Sequence, residues 1–433
     1  MKIQNKKTKT SLVIGLSLVA LLISASSLNS VIAQTATNTT QFSATEDEIP
    51  NAISQAASQM PQHSKDVTFL NIEKRVHGFS GAYVDETGKL NIYTTDSSIK
   101  SVDKSVLADY VEPYHLANGI VVKQSNHSWH KWMELGNFVT KLADDKTLGI
   151  NLMGVDDKNQ VYEIGFEKLG NSKIDTVNKF LTDYNIPSDM VKLVEVGKII
   201  PVNDDTKPCN ANQRHDYSPV TVNPIMGGAE IGIPGAENSW CTYTPKCTDG
   251  FVVKDSGGNF RGLTAGHCQV SGTQQYRQPY STTPQNSNHI YPLARLVGSL
   301  ISGTVKMAHS DSLLFGVGSE TSGFGKIYRF GLSQVTITGK AYTQLVGDTV
   351  CSSGAGSEST RCNSVTQVGI TVNGIPGQNA AGFTSIGGDS GSPVWNPNGG
   401  ITVYGTVFAA SGGTTYYSPT GGIEADQGVL QFK

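Results

Sequence analysis

The sequence predicts an all-β domain over residues 223–433, preceded by a small α+β domain over 78–200 and joined to it by a linker at 201–222. Three observations carry this. Residues 34–216 hold 18 Lys+Arg and 25 Asp+Glu, whereas 217–433 hold 11 of each, so a charged half gives way to a nearly uncharged one. Glycine runs the other way, with 36 of its 47 occurrences after residue 216. The second half is also built of short alternating runs, such as Lys326-Ile327-Tyr328-Arg329-Phe330, Val335-Thr336-Ile337-Thr338 and Ile401-Thr402-Val403-Tyr404. Short strands punctuated by turn residues belong to a sandwich or a pair of barrels.

The 433 residues are too many for one ordinary core, and two folded units are expected. Residues 1–33 read as an export signal: Lys2, Lys6, Lys7 and Lys9 precede an apolar run at 12–23, and Val31-Ile32-Ala33 offers a small-residue cleavage site. The run is too short to span a bilayer, which takes ~20 residues, so no membrane association is expected once the signal is cut. Residues 34–77 form a mobile leader in this reading, polar and without sustained periodicity as far as about 62. From there Gly81-Ala82-Tyr83-Val84 and Leu90-Asn91-Ile92-Tyr93 flank Asp85-Glu86-Thr87-Gly88 as a hairpin. A strand at 119–123, a helix at 128–143, strands at 147–155 and 160–166, a helix at 174–184 and a strand at 191–196 follow. That order, β-α-β-β-α-β, predicts a split βαβ, ferredoxin-like unit with two helices on one face of an antiparallel sheet. Pro201, Pro208 and Pro219 interrupt regular structure in the linker.

A net charge of -3 without a basic patch excludes a nucleic-acid surface. Six cysteines in an exported chain, none in a C-x-x-C pair, point to disulfides rather than zinc.

The strongest local signal for chemistry is Ile386-Gly387-Gly388-Asp389-Ser390-Gly391-Ser392-Pro393. A serine hydroxyl is a weak nucleophile and needs a tight turn whose neighbours do not block a carbonyl substrate. Gly388 and Gly391 meet that need, and the backbone N–H groups of Gly388 and Ser390 are candidates for an oxyanion hole. Thr264-Ala265-Gly266-His267-Cys268 supplies a candidate general base, since a histidine can take and return a proton near neutrality. Asp311 precedes the apolar run Leu313-Leu314-Phe315, which would bury its carboxylate beside the imidazole. The other acids between His267 and Ser390 are Glu320, Asp348, Glu358 and Asp389; the last abuts the nucleophile and the rest sit in turn-like contexts. His309 is read as a neighbour without a part in the chemistry.

On these three motifs the stretch from about 220 to 433 resembles the chymotrypsin superfamily, and within it the bacterial secreted streptogrisin and α-lytic protease group. The order is His, Asp, Ser with gaps of 44 and 79 residues, which is neither the subtilisin order nor that of α/β-hydrolases. The resemblance implies two six-stranded antiparallel β-barrels of trypsin-like fold and a serine endopeptidase acting on protein or peptide substrates, with His267, Asp311 and Ser390 as triad. No cofactor or metal is implied. It also implies bridges Cys247–Cys268 and Cys351–Cys362, leaving Cys209 and Cys241 as the remaining pair. The group is made with N-terminal pro-regions, which makes residues 78–200 a candidate foldase and intramolecular inhibitor; a permanent accessory domain is the alternative.

Gly412-Gly413-Thr414-Thr415-Tyr416-Tyr417 is similar to the wall of the specificity pocket in streptogrisins, after a strand at 406–410 whose Phe408, Ala409 and Ala410 would line substrate. The cysteine that braces this pocket in the group is missing before Gly387-Gly388. Thr384 stands where trypsin-like enzymes carry a carboxylate, so a neutral pocket taking apolar or aromatic side chains is expected. Ile225-Met226-Gly227-Gly228 follows Pro224 rather than a basic residue, so Asp389 is expected to pair with an internal cation or backbone donors instead of a freed N-terminus. Two other classes compete: a protease-like extracellular binding module, which the presence of all three residues disfavours, and a secreted esterase, which Ser392 in place of the glycine of G-x-S-x-G disfavours.

Overall fold

The computed structural model describes residues 42, 60–202, 225–232, 246–269, 275–280, 293–318, 322–330, 334–398 and 400–433. The export signal at 1–33, most of the leader, the linker from 203 to 222, and Cys209 and Cys241 lie outside the described residues.

The N-terminal half begins earlier than expected. Helix α1 (Lys65–Glu73) falls inside the span read as a mobile leader. The Ser64 hydroxyl accepts from the N–H of Val67 and caps it, and Phe69, Leu70 and Ile72 are buried. Over 65–73 the leader reading fails because a helix this short shows few apolar positions, and its order comes from packing rather than from local propensity. The hairpin follows as β1 (Phe79–Val84) and β2 (Leu90–Thr94), closed by Asp85, whose carboxylate accepts from the backbone of Thr87 and Lys89. Short helices α2 (Lys104–Leu107) and α3 (Pro113–Ala117) lead to β3 (Ile120–Gln124). Helix α4 (Trp129–Ala143), capped by Ser128, buries Trp129, Trp132, Leu135, Phe138, Val139 and Leu142 on one stripe. Strands β4 (Ile150–Asp156) and β5 (Val161–Phe166), helix α5 (Asn171–Asp183) and strand β6 (Val191–Glu195) complete the unit.

The expected elements are present, but the ferredoxin-like arrangement is not. Strand β3 pairs in parallel with β2 in a separate three-stranded sheet, and β6 pairs in parallel with β5. Each half is thus an antiparallel hairpin followed by a helical crossover to a parallel third strand. Hydrophobic periodicity reveals which face of a strand is buried and not which strand lies beside it. A crossover long enough to hold a helix returns a strand parallel to its predecessor.

The C-terminal half is almost entirely β. Strand β7 (Ile200–Pro201) precedes β8 (Ile225–Gly227), β9 (Glu230–Gly232), β10 (Lys246–Thr248), β11 (Phe251–Lys254), β12 (Phe260–Thr264), β13 (Gln275–Tyr280), β14 (Leu293–Leu300) and β15 (Leu313–Val317). After these come β16 (Ser322–Ile327), β17 (Val335–Thr336), β18 (Gly339–Lys340), β19 (Thr349–Gly354), β20 (Ser359–Val372) and β21 (Ile375–Ala381). The chain ends with β22 (Pro393–Asn396), β23 (Thr402–Ser411), β24 (Thr414–Pro419) and helix α6 (Thr420–Gln427). One sheet runs β10-β9-β13-β14-β15-β12-β11. Another runs β19-β22-β23-β24-β21-β20 and, because β19 also pairs with β20, these six strands join in a closed cycle. Cys351 and Cys362 face each other across β19 and β20 and are bonded, and a second disulfide joins Cys247 to Cys268.

The two halves share a sheet. Leu152 and Met153 of β4 pair with Val372 and Thr371 of β20, so the strands of the N-terminal unit extend the edge of the β20–β21 hairpin. Buried Lys65 bonds Asp157 at 2.7 Å and the carbonyl of Val368 at 3.0 Å. Burial pushes the Asp157 carboxyl up to about 6 despite that cation. Among the described residues, no helix is long and apolar enough to cross a membrane.

Candidate active site

His267 lies in a single 3₁₀ turn, Gly266–Cys268, one residue beyond the end of β12, and Asp311 lies two residues before the start of β15. These strands are antiparallel neighbours, with Thr264 opposite Leu313, so the ladder itself sets the histidine beside the aspartate. The Asp311 carboxylate takes both of the donors that His267 offers on this side: Nδ1 at 2.5 Å and the backbone N–H at 3.0 Å. Gly266 makes this approach possible, since a Cβ there would lie 2.6 Å from Asp311 Oδ1. The Cys247–Cys268 bridge ties the turn to β10.

On the far side of the ring, His267 Nε2 lies 2.6 Å from Ser390 Oγ. Ser390 sits in the turn before β22, whose shape several distant groups hold. Gly388 adopts φ +94 and Gly391 φ +86, conformations that side chains rarely tolerate. A Cβ on Gly391 would lie 2.1 Å from Thr264 Oγ1 and 2.2 Å from the carbonyl of Thr248. The Thr248 hydroxyl donates to the Gly388 carbonyl at 2.8 Å, and the N–H groups of Thr248 and Gly391 bond the carbonyls of Ser390 and Val407.

The N–H groups of Gly388 and Ser390 converge on one oxygen, the carbonyl of Val202, at 2.6 and 3.2 Å. Upstream of it, Pro201 and Ile200 lie antiparallel to Ala409 and Ala410, and the Val202 N–H donates to the carbonyl of Phe408 at 3.3 Å. Phe408, Ala409 and Ala410 therefore line a strand of this chain. Thr384 is exposed and makes no hydrogen bond to that strand, although its neighbours Phe383 and Ser385 are buried and joined to Thr415.

Asp389 receives the backbone N–H groups of Ser357 at 2.8 Å and Ile386 at 3.0 Å, with Arg361 at 3.7 Å. Burial raises its carboxyl above the ordinary value, against those donors and that cation. Sequence reasoning missed a further layer. Asp426 of α6 accepts the N–H groups of His309 and Ser310, and the Ser418 hydroxyl accepts the N–H of Asp311. Together they fix the loop that presents the carboxylate. Thr248, Ser418 and Asp426 carry no local motif, and only the folded strands bring them to the site.

The chain is similar in structure to bacterial chymotrypsin-like serine proteases. Protease A of Thermobifida fusca aligns at 20% identity and a TM-score of 0.34, over 48% of this chain and 97% of that one. A Nocardiopsis protease aligns at 18% and 0.34, over 48% and 99%, and an α-lytic protease homologue, N4, at 22% and 0.35, over 48% and 100%. Neither a protein-family profile nor a curated protein sequence matches the chain.

Proposed function

We propose that this protein is a secreted serine endopeptidase, made as a proenzyme, whose catalytic unit is a pair of antiparallel β-barrels meeting at His267, Asp311 and Ser390. The observation that carries the reading is one of convergence. A hydroxyl bonded to an imidazole, itself bonded to a buried carboxylate, stands beside two backbone N–H groups that hold a peptide carbonyl oxygen. In this reading Ser390 Oγ adds to the carbonyl carbon of the substrate while His267 Nε2 takes the hydroxyl proton. Asp311 holds the ring in the tautomer whose Nε2 is free to accept and stabilises the imidazolium that forms. Charge then develops on the carbonyl oxygen, where the N–H groups of Gly388 and Ser390 already point. Collapse breaks the carbon–nitrogen bond, the departing amine takes the proton from His267, and water hydrolyses the ester along the same path.

The N-terminal unit fits the role of a pro-region. Its strands extend the hairpin β20–β21, and the segment that leaves it fills the cleft beside Ser390, which would deny the site to other chains until that segment departs. The export signal read at 1–33 and the two disulfides fit an extracellular enzyme. The test is turnover of a peptide library, with labelling by a serine-directed fluorophosphonate, comparing the parent protein with Ser390→Ala. Loss of both in the variant, with kcat down by ~10⁶, is expected. Equal turnover would remove the assigned nucleophile.

A further inference from the structure

The segment in the cleft lies as an acyl donor would. Its carbonyl oxygen occupies the position where two N–H groups converge, its last N–H reaches the carbonyl of Phe408, and the two residues before it run antiparallel to Ala409 and Ala410. Direction, register and carbonyl position agree on one residue, Val202. We propose, on the reading of the site as a serine endopeptidase, that the peptide bond between Val202 and Asn203 is the first substrate of this enzyme. The same geometry makes Ile199-Ile200-Pro201-Val202 a record of its preference. That preference is a compact aliphatic residue on the acyl side of the cut, a second enclosed aliphatic residue three positions upstream, and no selection at the position of Ile200.

Burial sets the pattern. Val202 is 3% exposed and shares an apolar cluster with Phe383, Val407, Ala410 and Tyr417. An ionised side chain at 202 would be stripped of water there and set among apolar neighbours. Ile199 is 5% exposed and belongs to a cluster with Phe408, Ala409 and Tyr416, whereas Ile200 is 47% exposed. Pro201 fixes its own φ and confines Ile200 to extended backbone, which prepares the segment for the antiparallel ladder at little entropic cost. In the cut itself, Ser390 Oγ bonds to the carbonyl carbon of Val202, the bond to the nitrogen of Asn203 breaks, and that amine leaves with the proton from His267. Water then releases the carboxylate of Val202 and restores the hydroxyl. Both partners lie in one chain, so conversion is first order in protein.

The test has two arms. In the first, the active protein is produced and its termini read by intact mass and N-terminal sequencing. A chain starting at Asn203 is expected, absent from Ser390→Ala, formed with a half-time independent of protein concentration, slowed by at least ~100-fold in Val202→Lys and Val202→Asp, and unslowed in Ile200→Lys. In the second, which needs no folded variant, the processed enzyme is given p-nitroanilides of Ile-Ile-Pro-Val, Ile-Ile-Pro-Lys and Ile-Ile-Pro-Glu. A kcat/KM for the valyl substrate at least ~100-fold above the other two is expected. An intact Val202–Asn203 bond in active enzyme, processing of Val202→Lys at the parental rate, or preference for the lysyl or glutamyl substrate overturns the inference. Any of these alongside fluorophosphonate labelling of Ser390 leaves the endopeptidase reading standing. Absence of labelling and of all turnover sinks both.

Discussion

Two buried aspartates separate what the site needs from what the fold tolerates. Asp311 spends both carboxylate oxygens on His267, one on the ring and one on the backbone. Asn in its place keeps the shape but presents an N–H toward a ring nitrogen that must itself carry a proton. Asp311→Asn is therefore expected to lower kcat by ~10⁴ with KM nearly unchanged, read from steady-state kinetics on a peptide substrate. Among the described residues Asp249 has no side-chain hydrogen-bond partner, and burial pushes its carboxyl well above the usual carboxylate range. The unfolded chain releases that proton near pH ~3.9, before the folded chain does. Between the two values the unfolded state binds fewer protons, so stability falls as pH rises through ~3.9 and stays reduced above the folded value. Asp249→Asn removes that loss. In a Ser390→Ala background its Tm is expected to exceed the parent's by about 2 °C or more at pH 7.5, with the gap closing toward pH 4. Equal gaps at both pH values would show that the carboxyl does not titrate as its burial requires.

At the scale of elements, the contrast between what the sequence disclosed and what it hid follows from how each feature is encoded. The turns bearing His267 and Ser390 were legible because their chemistry constrains immediate neighbours: Gly266 admits a carboxylate, and Gly388 and Gly391 take positive φ. The strands and long helices of the N-terminal unit were legible from period and caps. Strand partners were not, because β3 and β6 read the same whether they join one sheet or two. Helix α1 was hidden by its brevity, and the seating of Val202 by a separation of some two hundred residues from Phe408. Thr248 belongs with the hidden features, yet it braces the turn, donating to the Gly388 carbonyl and accepting the N–H of Ala355. Replacing it by the isosteric valine strands the N–H of Ala355 and frees the Gly388 carbonyl in the turn that carries Ser390. Thr248→Val is expected to lower kcat ~10-fold or more at similar KM, while Thr248→Ser, which keeps the hydroxyl, restores it. An equal loss in both variants would show that keeping the hydroxyl is not enough to brace the turn, and the hydrogen-bond account would fail.

At the scale of the whole molecule, the half that carries His267, Asp311 and Ser390 is held by pairings between strands far apart in the chain, a topology that folds slowly because loop-closure entropy is lost before any contact compensates it. The N-terminal unit meets this half at defined places. Its β4 lies along β20, its Tyr83 bridges Val346, and His115 meets Asp348 at 2.5 Å with both side chains buried. Nearby, the hydroxyl of Tyr114 lies 2.6 Å from that of Tyr404, which also receives Asn396. All of these contacts fall on strands, or at the ends of strands, of the six-strand cycle, so a preformed N-terminal unit presents an edge and several polar anchors on which that cycle can assemble. Local helices and hairpins make that unit the faster of the two to form. Two proteins, both Ser390→Ala to prevent cutting, test this: the full chain and residues 203–433 alone. After dilution from guanidinium with disulfides intact, recovery of β-structure followed by circular dichroism is expected to be at least ~100-fold slower for the shorter chain. Adding separately prepared residues 60–202 is expected to restore most of the rate. Equal rates for the two chains would leave the N-terminal half as a cover for the cleft with no part in building it.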